Sequence, residues 1–211
     1  MTMLNRYQIG NAQTIGRHEV QTNYFSTISN KTGELFAVLA DGTIDHQNAR
    51  LAATMAVEFC VYSFLYNLNL KDAGRFLFET ALKANERIQD SFYLGKNPRL
   101  SLSMALFMGK ELQYFNVGQN NICYYNGHNE LALGNDLNNP YSGGQCNLAA
   151  HDIIGIFSSG VSGITHPMER LKIIGAKKEI FAKAQTLIEL VNKKNLDNQA
   201  NATALLIEVA K

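Results

Sequence analysis

Cysteine is scarce in this chain of 211 residues. The three cysteines, Cys60, Cys123 and Cys146, are odd in number and far apart in the sequence. This pattern indicates neither a disulfide framework nor a zinc site, and it is typical of free thiols in a reducing compartment. Residues 1–10 carry no apolar signal region. We therefore expect a cytoplasmic protein.

Excess charge and long apolar runs are also missing. The formal net charge is +1, and no dense run of Lys or Arg occurs, which argues against a nucleic-acid binder that works through bulk charge. The most apolar helical stretch, residues 52–68, contains Glu58 and stays amphipathic, so no membrane span is expected. Hydrophobic residues make up 46% and charged residues 18%, as in ordinary globular proteins. We predict one domain, residues 1–211, with a substantial core.

Hydrophobic periodicity changes several times along the chain, between a period of two and a helical period. Turn residues such as Asn, Gly and Pro separate the segments. The predicted elements are strands at 7–16, 22–29 and 35–40, helices at 45–69 and 72–88 (N-cap Asp72), three consecutive antiparallel strands at 100–108, 111–117 and 122–125, a strand at 130–133, a loop at 135–145, a strand at 152–157, helices from 165 to 194 with a break at Gly175, and a strand at 202–209. Blocks of strands with segregated helices predict an α+β domain with packed sheets covered by helices.

One carboxylate stands out at the end of the third predicted strand. The apolar run 35–40 stops abruptly at Asp41 and Gly42. A short apolar run bounded by turn residues predicts a buried strand, so Asp41 is expected at the rim of a sheet. An ordinary Asp-Gly turn is the alternative interpretation of this pair.

Five segments, in order over nearly the whole chain, resemble motifs of the PPM-type (metal-dependent, type 2C) serine/threonine protein phosphatases. They are RHEVQTN at 17–23, FAVLADGTIDH at 36–46, FNVGQNNICYYNG at 115–127, DIIGIFSSGV at 152–161 and ANATALL at 200–206. The resemblance implies an antiparallel β-sandwich flanked by pairs of α-helices, a four-layer αββα fold. The short connection from 126 to 152 is similar to bacterial members that lack a flap subdomain.

The resemblance also implies a site in which an Asp bridges two divalent cations, which activate a water that attacks a phosphate. Such a site needs several carboxylates, because Mg²⁺ and Mn²⁺ prefer oxygen ligands and two close dications must be neutralised. Asp41, with the Gly42 carbonyl, matches the bridging position. The family's other acidic positions are filled here by neutral residues: Asn23, Ser159, Ala200 (which leaves Asn201) and, in the strand turn, Gln119.

The loss of these acids limits what the site can bind. Two unit charges about 4 Å apart interact by roughly 4 kcal/mol at an effective dielectric near 20, so one carboxylate does not offset two dications. A single weakly held Mg²⁺ or Mn²⁺ at Asp41 and Gly42 stays open, because Mg²⁺ often uses one or two carboxylates. Asp45 is a second candidate ligand, with a helix N-cap as the alternative. His46 is the candidate proton donor, with a polar helix start as the alternative.

The basic phosphate-binding position of the family is not clearly filled, although Arg17 and His18 stand near it. From the joint loss of acids we predict a pseudophosphatase, a protein-binding or regulatory module in phospho-signalling. Its expected partner is a phosphoprotein or a kinase, without nucleic acid or membrane, and its cofactor is none or weakly bound Mg/Mn. The alternative is an active, atypical serine/threonine phosphoprotein phosphatase with a single metal at Asp41.

Overall fold

The computed structural model describes residues 6–42, 46–67, 70–92, 100–133 and 141–210, with residues 46 and 47 described by their backbone only. This part of the chain contains ten strands and five helices. In chain order they are β1 (Tyr7–Thr14), β2 (Asn23–Ser29), β3 (Leu35–Gly42), α1 (His46–Tyr66), α2 (Ala73–Ser91), β4 (Leu100–Met108), β5 (Glu111–Val117), β6 (Asn121–Tyr125), β7 (Glu130–Ala132), β8 (Tyr141–Asn147), β9 (Ile153–Phe157), α3 (Ser159–Ser162), α4 (Pro167–Ile174), α5 (Ile180–Lys194) and β10 (Ala202–Val209).

The strands form two five-stranded antiparallel sheets. The first sheet has the order β1-β10-β9-β6-β7, and the second has the order β2-β3-β4-β5-β8. Apolar side chains of both sheets meet in one buried cluster, which includes Leu39, Ile156 and Leu205. Helices α1 and α2 cover the outer face of the second sheet, and α3, α4 and α5 cover that of the first. The predicted α+β sandwich with flanking helices is therefore confirmed.

Strand β3 is buried on both faces, which is why it reads as a continuous apolar run. Successive side chains of a strand point to opposite faces. Leu39 and its odd-numbered neighbours point between the sheets, whereas Phe36 and the even-numbered positions face the helices. The Phe36 ring stacks on that of Phe64 in α1 at a centroid distance of 5.2 Å. The alternation places Asp41 on the inner side of the sandwich, at its rim.

Several predicted elements are confirmed at their local signals. Strands β2 and β3 form the expected hairpin, and Asp72 is the N-cap of α2, where its Oδ1 accepts a hydrogen bond from the Arg75 N–H at 3.0 Å. No helix in the described ranges is long and apolar enough to cross a membrane.

Two topological predictions are wrong. The loop predicted at 135–145 overlaps β8, which pairs with β5 along the edge of the second sheet. Its Asn and Gly content predicts a loop, but cross-strand pairing with β5 holds residues 141–145 extended, and the rest of the predicted loop lies outside the described residues. The three consecutive strands predicted from 100 to 125 do not stay together, because the chain changes sheets after β5 and β6 pairs with β9 and β7. A short helix, α3, also begins where only a strand break was predicted.

A buried ion pair holds α4 against the first sheet. The Arg170 guanidinium binds the Glu130 carboxylate, and both side chains are almost fully buried. Arg170 also donates to the Thr165 hydroxyl at 3.0 Å and lies 5.9 Å from the centroid of the Phe157 ring. Glu130 accepts a further bond from the Tyr125 hydroxyl at 2.7 Å. Hydrogen bonds to several partners are what such a buried pair requires to offset desolvation.

Candidate functional site

Asp41 lies at the rim of the sandwich, where β3 ends, and is only 6% exposed. Its register partners on the neighbouring strands are Asn23 and Ser101. The next residue, Gly42, has no side chain, which allows α1 to pack directly on the end of the strand. A Cβ at position 42 would lie 2.4 Å from the carbonyl oxygen of Ala49, a distance that no side chain tolerates. The close approach of α1 therefore depends on the Asp-Gly pair.

Two hydroxyl groups contact the carboxylate of Asp41. The Thr22 hydroxyl lies 3.3 Å from Oδ1, and the Ser159 hydroxyl lies 3.3 Å from Oδ2. Burial raises the pKa of Asp41 to about 6, and the two hydroxyls oppose this rise. Desolvation dominates because, among the described residues, no cation faces the carboxylate.

The Thr22 hydroxyl is shared between two acceptors. It lies 2.6 Å from Asn201 Oδ1 as well as 3.3 Å from Asp41. A hydroxyl has one proton to donate, and the shorter contact is the better hydrogen bond. The longer contact is therefore best satisfied when Asp41 is protonated and donates to Thr22 Oγ1. This geometry agrees with the raised pKa of the carboxyl group.

Asn201 connects the two sheets beside the site. Its Oδ1 accepts bonds from the backbone N–H and the hydroxyl of Thr22, and its Nδ2 donates to the Ile15 carbonyl at 2.7 Å. Gly160, in α3, packs on the backbone of Asn201, where a Cβ would lie 2.0 Å from its carbonyl oxygen. The amide of Asn201 thus links the segment before β2 to the start of β10.

The other sequence-predicted positions are spread around this centre. Asn23 points between the sheets and donates to the Thr203 hydroxyl at 3.0 Å, and its own Oδ1 has no hydrogen-bond partner in the described part of the chain. Ala200 is half-buried and offers no side-chain ligand. Gln119 is exposed, and its backbone N–H donates to the Ser101 hydroxyl at 2.9 Å. Of the predicted neutral positions, Ser159 is the one whose side chain directly contacts Asp41.

The remaining sequence-predicted candidates are Asp45, His46, Arg17 and His18. Asp45 lies outside the described residues, and the side chain of His46 is not among the described ones either. Arg17 donates to Asn195 Oδ1 at 2.6 Å, beyond the end of α5. His18 is half-buried.

Thr22 is the residue that sequence reasoning missed. It lies one position before β2 and directly before Asn23, so the motif comparison assigned the acidic position to its neighbour. It was predicted as the first residue of the strand 22–29, whereas β2 begins at Asn23, so strand alternation does not assign its side chain.

The described ranges contain no group of three or more His, Cys, Asp or Glu residues that could hold a metal ion. The oxygen atoms around Asp41 belong to the hydroxyls of Thr22 and Ser159. Together with the sandwich and its helix pairs, this rim site defines the class of fold. The chain has the fold of the PPM-type serine/threonine protein phosphatases.

Comparison with solved structures gives the particular relatives. The chain is similar to the serine/threonine phosphatase of S. agalactiae, with a TM-score of 0.86, 18% identity, and coverage of 96% of this chain and 99% of that one. The catalytic domain of PstP, solved in complex with two manganese ions, has a TM-score of 0.82 and 14% identity, with coverage of 97% of this chain and 99% of that one. PppA, a regulatory component of T6SS in Pseudomonas aeruginosa, has a TM-score of 0.80 and 16% identity, with coverage of 96% of this chain and 97% of that one. No protein-family model matches the chain, and no curated protein matches it.

Proposed function

We propose that this protein is a pseudophosphatase that acts by binding. One observation carries the proposal: both carboxylate oxygens of Asp41 face hydroxyl groups, those of Thr22 and Ser159. The matching acidic positions are neutral throughout. Among the described residues, the carboxylate therefore contacts hydroxyl groups and no cation.

The donor set around Asp41, as far as the described residues form it, does not fit two divalent cations. A pair of dications requires several negative charges, and hydroxyl and amide oxygens supply none. Asn201 is engaged with Thr22 and Ile15, so neither of its polar atoms is available without breaking a buried contact. A single Mg²⁺ or Mn²⁺ on Asp41 and the Gly42 carbonyl would have to displace two hydrogen bonds. We therefore propose weak binding of one ion at most.

The proposed role is to hold a partner protein, either a phosphoprotein or a kinase. Its neighbours in fold are serine/threonine phosphatases, and Asp41 lies at the rim of the same kind of sandwich. A retained fold with neutral residues at the matching acidic positions favours recognition without turnover. The fold similarity supports a place in phospho-signalling.

Hydrolysis of p-nitrophenyl phosphate with Mn²⁺ tests the proposal, with wild type compared with Asp41→Ala. We expect no Mn²⁺-dependent turnover in either protein. Turnover that depends on Mn²⁺ and disappears in Asp41→Ala would instead establish an active, atypical phosphatase. Glu189→Ala, on the exposed face of α5, serves as the matched control.

Isothermal titration with Mn²⁺ gives an independent measurement. With one carboxylate in the described site, we expect no binding below millimolar concentrations. Two tightly bound equivalents of Mn²⁺ would contradict the proposal.

A further inference from the structure

The outward side of α1 is apolar, although it is exposed. Leu51, Tyr62, Leu65 and Tyr66 are exposed by 51%, 61%, 41% and 77%. They recur at the three- and four-residue spacing of one helix face. We define the α1 outer face by Leu51, Met55, Glu58, Tyr62, Leu65 and Tyr66.

The inward side of the same helix is apolar as well, since Ala53, Val57 and Phe64 are buried in the core against the second sheet. A helix that is apolar all round is normally covered on all sides. Helix α5 follows the usual pattern, because Glu189, Lys193 and Lys194 lie on its exposed side. The α1 outer face therefore has the composition of a contact surface.

A single charge, that of Glu58, lies in the middle of this face. Within the described residues Glu58 has no ion pair or hydrogen bond, and the residues one helical turn away, Thr54 and Tyr62 among them, are uncharged. An apolar partner without a cation would bury this carboxylate unpaired, which is costly. A partner with a Lys or Arg at this point would neutralise it.

A second copy of the chain that pairs through the same face does not supply that cation. Twofold pairing about the middle of the face would bring the two Glu58 carboxylates together, and like charges repel. Arg50 is the other charged side chain described on α1. Its guanidinium donates to the Asn23 carbonyl at 2.9 Å and lies over the Tyr24 ring, so it is committed within its own chain.

We propose that the α1 outer face binds an amphipathic helix of a different protein, with apolar side chains at three- and four-residue spacing and a Lys or Arg opposite Glu58. Helices commonly dock in this way, through apolar anchors on one face. This inference goes beyond the proposed function and does not depend on it. The apolar residues contribute contact area, and Glu58 selects the partner by charge.

A charge-swap experiment tests the proposal with two synthetic leucine-rich helical peptides as long as α1, identical except for a central Lys or Glu. Fluorescence anisotropy gives the affinity of each peptide. Wild type is expected to bind the Lys peptide about tenfold more tightly than the Glu peptide, and Glu58→Lys is expected to reverse this preference. Glu189→Lys on α5 is the matched control and should leave it unchanged.

The double variant Tyr62→Ser, Leu65→Ser should weaken the binding of both peptides to the same extent, because it removes apolar contact and keeps the charge of Glu58. All the substituted side chains are exposed, and circular dichroism verifies that each variant is folded. Failure of wild type to bind either peptide, or equal affinity for both, would overturn the proposal. So would a homodimer in sedimentation that Tyr62→Ser dissociates, since the face would then belong to a second copy.

The result is independent of the phosphatase assay. If the protein discriminates the peptides through Glu58 and also shows Mn²⁺-dependent turnover, the pseudophosphatase proposal is wrong and the binding role of the α1 outer face still holds. If the protein shows neither turnover nor discrimination between the peptides, only the proposal for the α1 outer face is wrong.

Discussion

Replacing Asp41 with Asn should stabilise the folded protein at neutral pH, although Asp41 lies in the centre of the site. Burial raises the pKa of this carboxyl from 3.8 to about 6. Each tenfold change in proton affinity corresponds to about 1.4 kcal/mol, so ionised Asp41 costs the folded state about 3 kcal/mol. The full figure applies because the side chain is almost completely buried.

The effect has a defined dependence on pH. Below about pH 4 the carboxyl is protonated in both the folded and the unfolded chain and costs nothing. Between pH 4 and pH 6 the unfolded chain ionises first, so the wild type loses stability as the pH rises, and the full cost is reached above pH 6. An Asn side chain has nearly the same shape and does not titrate. Its amide can donate to Thr22 Oγ1 and accept from Ser159.

Urea unfolding followed by circular dichroism, in EDTA at pH 4 and pH 7.5, measures this difference. We expect Asp41→Asn to be more stable than wild type by about 3 kcal/mol at pH 7.5 and within about 1 kcal/mol at pH 4. Asp72→Asn is the control, because Asn also caps a helix well, and it should change stability little at either pH. A variant that is less stable than wild type at pH 7.5 would refute the reasoning.

Three further predictions concern the site and the core. Ser159→Asp places a second carboxylate beside Asp41, so its melting temperature should fall in EDTA and recover with Mn²⁺; a melting temperature insensitive to Mn²⁺ would contradict this. Arg170→Met leaves Glu130 buried without its cation and should cost about 3–5 kcal/mol in urea unfolding, part of which Glu130→Gln should restore. Cys60 should resist thiol reagents in the native state, because it is fully buried and its pKa is raised to about 12; rapid native labelling would contradict its burial.

Local signals predicted much of the fold. The apolar run before Asp41 marked β3, because a strand buried on both faces carries no polar alternation. The helical spacing of apolar residues marked α1 and α2, and Asp72 marked the start of α2. These features depend on neighbours only a few residues apart along the chain, so the sequence contains them directly.

Non-local pairing accounts for the errors. Strand β8 contains Gly143 and Gly144, which favour a loop in isolation, and it is extended because it pairs with β5. The change of sheet between β5 and β6 leaves no local signal, because a tight turn can connect strands in one sheet or in two. Both features depend on which distant strands lie alongside.

The candidate site divides in the same way. Residue identity was sufficient to predict that the positions resembling the family's other acids are neutral here, since charge belongs to each residue alone. Which neutral groups face it could be learned only from the folded chain. Thr22 and Ser159 come from segments far apart in the sequence and meet at the rim because two packed sheets bring their ends together. Burial in the folded chain raises the pKa of this carboxyl group, and the two hydroxyl contacts oppose the rise.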